Sequence, residues 1–131
     1  QMEIQSTGAW DAYQIFSHCA QSVEFSMSAF PVHKSFIFKS TLGAIAFSAF
    51  ASKGKMTHGL DEEIPGAPAI KSSHDIQVAL KRLEKSLIEF KKYKGELAPH
   101  FAYGQLTKQE YAFAHVMHLN NHLKEIEAFK V

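Results

Sequence analysis

The chain has 131 residues, of which 46% are hydrophobic and 21% charged, which suits one globular domain (1–131) and excludes a disordered chain. Fourteen basic side chains against thirteen acidic ones leave +1, and only Arg82 among the basic residues is Arg, so the planar fork that clamps phosphates and base edges is nearly missing and a nucleic-acid partner is disfavoured. Cys19, the one cysteine, excludes an intrachain disulfide framework and a Cys-based zinc site, and Lys34 and Lys39 break the greasiest stretch before it reaches the length of a membrane span.

Residue 1 is Gln rather than Met, which points to residues removed upstream. Any address would have gone with them, so cytoplasmic and exported locations both stay open. Four helices follow in chain order, with strand signals nearly absent. The first spans about Ala9 to Phe30, with Ser6 and Thr7 as candidate N-caps and Pro31 as its stop. Tyr13, Phe16, Ala20, Val23, Met27 and Phe30 draw one apolar stripe along it. The opposite face, with Ile15, Ser22, Phe25 and Ala29, is small and apolar enough to be buried too. The second helix, about Ser35 to Ala51, is apolar almost all round (Phe36, Phe38, Leu42, Ile45, Phe47, Phe50), with Gly54 as its stop.

Residues 55–71 form a long loop punctuated by Pro65-Gly66-Ala67-Pro68, and loops of that length often line or cover a site. The third helix, about Ser73 to Lys94, turns Ile76, Leu80, Leu83, Leu87 and Phe90 inward and carries a solvated basic face, with Gly95 closing it. The fourth has the strongest start. Thr107 and Glu110 form a capping box, Leu106 and Tyr111 a hydrophobic staple, and the helix runs to about Ala128. The expected architecture is an all-α, antiparallel four-helix bundle with one long inter-helix loop.

The fourth helix holds His115, His118 and His122. With His118 at zero, His122 falls at about +40° and His115 at about +60°, beside the buried stripe. Imidazoles four residues apart converge on one ion, so His118 and His122 are a candidate metal pair. A third ligand must come from another helix. His18 is the natural candidate, although it projects opposite the Tyr13–Phe30 stripe, so the geometry permits it without requiring it. The competing reading is a set of core histidines satisfied by hydrogen bonds. His115 is either a fourth ligand or a group that supports the others. His100 and Tyr103, in the loop before the fourth helix, are candidates to move a proton near the metal, against simple loop packing. Glu125 is a further candidate supporting carboxylate. Cys19 reads as a buried small hydrophobe, and His33, His58 and His74 as surface residues.

Three blocks in order resemble domain-of-unknown-function family 1569. They are Gly8-Ala9-Trp10 with His18-Cys19-Ala20-Gln21-Ser22-Val23-Glu24; Gly54-Lys55-Met56, His58 and Ile64-Pro65-Gly66-Ala67-Pro68; and His100-Phe101-Ala102-Tyr103-Gly104 with His115, His118-Leu119 and His122-Leu123. The resemblance implies a DinB/YfiT-like metalloenzyme fold, a four-helix bundle holding nickel, zinc or iron. An early-helix His and an H-x-x-x-H pair on the last helix would be its ligands, which by position are His18, His118 and His122. It further implies an additional helix upstream of Trp10, export of some members, and an unknown small-molecule substrate. A low-molecular-weight thiol is the suggested co-substrate, since some relatives in the superfamily are thiol-dependent.

The leading expectation is therefore a metal-dependent transferase or hydrolase, and its alternative is a non-catalytic bundle whose ion only holds helices together. The two differ in coordination, open toward a pocket in the first and closed by four protein ligands in the second. The all-round apolar second helix adds an expectation of a homodimer, against burial by helices one and three with the 55–71 loop.

Overall fold

Local chemistry decides where each helix begins. In the computed structural model, which describes residues 2–56 and 60–130, the elements are β1 (Met2–Ser6), α1 (Ala12–Met27), α2, α3 (Ile76–Lys92), α4 (Lys108–Leu123) and β2 (Ile126–Lys130). The α2 segment has three contiguous pieces, Phe36–Phe38, a π-helical turn Lys39–Gly43, and Ala44–Lys53. The chain is thus mostly helical with a small two-stranded sheet.

Asp11, not Ser6 or Thr7, caps α1. Its Oδ1 accepts from the Gln14 amide at 2.8 Å, and Gln14 Oε1 accepts from the Asp11 amide at 2.9 Å, a closed capping box. Ser6 cannot cap because it is the last residue of β1, paired antiparallel with β2 in the register Ser6↔Ile126 and Ile4↔Ala128. That pairing also corrects the end of the last helix. α4 stops at Leu123, and Ile126–Lys130 joins the two ends of the chain, with the Thr7 amide donating to the Glu125 carbonyl at 2.7 Å. Thr107 and Glu110 do form the expected box at the start of α4, and Leu106 and Tyr111 are buried in one cluster behind it.

The expected two-sided burial of α1 is observed. Ile15, Phe16, Cys19 and Ala20 pack with Ala79 and Leu83 of α3, while Val23 joins Phe90, Tyr111 and Met117 in a second cluster. Arg82 of α3 pairs with Glu24 of α1 through two hydrogen bonds, 2.7 and 3.0 Å long. The 55–71 loop is also tied to α1: Gln14 Nε2 donates to the Ile70 carbonyl at 3.1 Å and Gln21 Nε2 to that of Pro68 at 3.2 Å. Asp11 Oδ2 holds Ser72 and the Ser73 amide, which moves the start of α3 from Ser73 to Ile76.

α2 departs most from expectation. Ser40 and Thr41 turn their hydroxyls back onto the carbonyls of Phe36 and Ile37, which loosens the helix where the π turn forms. Gly43 lies so close to the Ala102 carbonyl that a Cβ would collide with it, and Phe47 packs on Tyr103 with ring centres 5.4 Å apart. This helix therefore rests on the 100–104 loop. α1, α3 and the long loop bury only one side of it: Phe47 lies in one buried cluster with Val23, Phe90, Met56 and Ile64, whereas Phe36 is 80% exposed, and Leu42 and Ile45 are also open. Gly54 ends it in the left-handed conformation, φ 72°. Among the described residues no helix is long and apolar enough to cross a membrane.

Candidate metal centre

α1 supplies His18 from its middle, and α4 supplies His118 and His122 one turn apart. His18 and His122 are buried and His118 is half-buried. The Nε2 of His118 is 3.1 Å from the Nε2 of His18 and 3.1 Å from that of His122. The ring centres lie 4.7–4.9 Å apart, and one ligand nitrogen from each ring falls within 4.8 Å of the other two. The structure thus brings together the three residues that the resemblance selects, and it does so from two helices.

The spacing fits an ion. With metal–nitrogen bonds of about 2.0–2.1 Å, tetrahedral angles separate two ligand nitrogens by about 3.3 Å and right angles by about 2.9 Å. The observed 3.1 Å lies between them. A ring nitrogen carries one proton or one lone pair, so a single Nε2 cannot make linear hydrogen bonds to two neighbours. Three lone pairs shared by one cation would satisfy that spacing.

Trp10 roofs the cluster, edge-on to His18 at 5.1 Å and parallel to His122 at 6.4 Å. Its place follows from the Asp11 cap, which fixes the chain at the start of α1. It lies just before the observed start of α1, whereas the sequence pattern carries the helix back to about Ala9.

A cavity of about 260 Å³ opens on His18 and His118 and is lined also by His100, Tyr103 and His115. His115 is not in the cluster; its Nε2 meets Ser26 Oγ at 3.1 Å, and its ring lies between Tyr111 and Phe90. Burial pushes its pKa down to about 4. His100 packs the loop, as one of the two readings of it expects, and it also lines the cavity. Its Nδ1 accepts from the Ala102 and Tyr103 amides, which fixes the tight 100–104 turn, and its ring faces the cavity between Phe101 and Tyr103. Burial, reinforced by the nearby His115 and His33, pushes it down to about 3. Burial pushes the Tyr103 phenol up to about 12 and the Cys19 thiol up to about 12, so both stay protonated at neutral pH.

The long loop lines this cavity through Met56, Glu62, Glu63, Ile64 and Pro65. Glu125 has its carboxylate against Gly8, where a Cβ would strike it. His33 and His74 are exposed as expected, and His58 lies outside the described residues. Ser22, which lines the cavity, and Ser26, which meets His115, were not legible as site residues, since small hydroxyls on a buried helical face carry no pattern of their own.

A family model described as protein of unknown function (DUF1569) matches residues 1–128. No curated protein and no solved structure matches the chain.

Proposed function

This chain belongs to the DUF1569 family, and we propose that it is a divalent-metal-dependent enzyme of the DinB/YfiT-like kind acting on a small molecule. His18, His118 and His122 hold the ion, which is nickel, zinc or iron. The observation that carries this reading is the convergence of the three nitrogens at the wall of a cavity. The ion would supply Lewis acidity and bind a thiol co-substrate as its thiolate. The rest falls to the chain. Tyr103 is a protonated hydroxyl donor, His100 a neutral imidazole, and His115 a base held in place by Ser26.

The competing structural role needs a shell closed by four protein ligands. Against it, His115 is engaged by Ser26 and the cavity reaches two of the three ligands. X-ray absorption on the loaded protein tests this. Three imidazole nitrogens plus light, exchangeable scatterers are expected; a closed shell of four protein ligands would return the site to a structural role.

Independently of the metal, we propose that a second copy packs against α2, whose Phe36, Ile37, Leu42 and Ile45 are exposed. Light scattering at micromolar concentration should give twice the 14.7 kDa of one chain; a single-chain mass removes the dimer.

A further inference from the structure

Two histidines line the cavity without joining the metal cluster, and their hydrogen bonds fix which nitrogen carries the proton. His100 Nδ1 accepts two backbone amides, each at 3.1 Å, so its proton sits on Nε2. Ser26 Oγ gives its own hydrogen to the Val23 carbonyl at 2.6 Å. At 3.1 Å from His115 it can then only accept, so His115 carries its proton on Nε2 and keeps the lone pair on Nδ1. Among the described residues, no protein group bonds His100 Nε2 or His115 Nδ1, and both residues line the cavity.

The charged side chains at this cavity, Lys34, Glu62 and Glu63, are all exposed and lie at its rim. Its inner wall away from the metal cluster therefore offers the His100 donor, the His115 acceptor and the hydroxyls of Ser22, Tyr103 and Tyr111, all neutral, among apolar surfaces such as Ile64 and Ala114. A carboxylate placed there would face the His115 lone pair, and an ammonium group the His100 N–H. Either would leave water for an inner wall that carries no opposite charge.

We propose that His100 and His115 read an uncharged amide-type group on the ligand, its carbonyl accepting from His100 Nε2–H and its N–H donating to His115 Nδ1. This rests on the enzymatic reading only for the reaction that follows binding, because neither histidine is a ligand of the ion.

The probes are benzamide, benzoate and benzylamine, added to the full chain before and after chelation, with the imidazole nitrogens followed by NMR. Both rings should be in the Nε2–H form, and benzamide should perturb both. Benzoate and benzylamine should bind at least about tenfold more weakly. His115→Phe should weaken benzamide by roughly tenfold. So should His100→Asn, whose Oδ1 can still accept the two loop amides and so preserves the turn. Equal binding of either charged probe, no saturable binding of benzamide, or a proton on His115 Nδ1 would each overturn the proposal. Chelated wild-type protein separates the two claims, since it should keep the amide preference even if the metal assignment fails.

Discussion

The buried histidines fall into two sets that differ in where their nitrogens go. In the first, His18, His118 and His122 turn ring nitrogens toward one another across 3.1 Å. In the second, His100 and His115 are each anchored to another part of the chain, one by backbone amides and one by Ser26. Both sets touch the same cavity. Burial alone does not separate the two sets, because His115 is buried like His18 and sits one turn from His118. What separates them is the partner of each nitrogen.

Acid should separate the sets most. His115 is held at about 4 and His100 at about 3 by burial, below the ordinary 6.5. Above pH 6.5 both are neutral folded and unfolded, and contribute no pH dependence. Below it the unfolded chain takes up protons that the folded chain refuses, so stability falls as pH drops toward 4. For His115 this amounts to roughly 3 kcal/mol. Urea unfolding of chelated wild type and His115→Phe at pH 7 and pH 4 measures it. The wild type should lose about that much more than the variant; equal losses would mean His115 is not held neutral.

A smaller effect sharpens the second set. Ser26→Ala removes the acceptor of His115 Nε2–H and should cost about 1–3 kcal/mol, read as a lower urea midpoint with unchanged slope. It should also let the His115 proton redistribute between the two nitrogens while leaving the three-histidine cluster in place. A variant as stable as wild type, with the proton still on Nε2, would show that Ser26 does not set the tautomer.

Much of this site is local and therefore legible in sequence. The four-residue step from His118 to His122, the Thr107–Glu110 box and the Gly54 stop are each decided within one or two helical turns. The triad's third member is not, since helical geometry only permits His18 and the family resemblance selects it. The strands escaped for a different reason. Met2–Ser6 and Ile126–Lys130 are five-residue segments, and Thr7 and Glu125, which extend their pairing, are 118 residues apart. Neither strand has a local signal strong enough to compete with the helical pattern, and only their mutual pairing defines them. That pairing displaced both the α1 cap and the α4 end. The path of the long loop was equally hidden, since its end is held along α1 by Gln14 and Gln21, two side chains that periodicity reads only as polar.

Metal content tests the central claim most directly. Untagged protein loaded with zinc or nickel and desalted should carry about one ion per chain, and His115→Ala should keep it. His18→Ala, His118→Ala and His122→Ala should each fall below about a tenth of an ion per chain. Full metal retention in His118→Ala, or a loss in His115→Ala as deep as in the other three, would contradict the assignment of the ion to His18, His118 and His122.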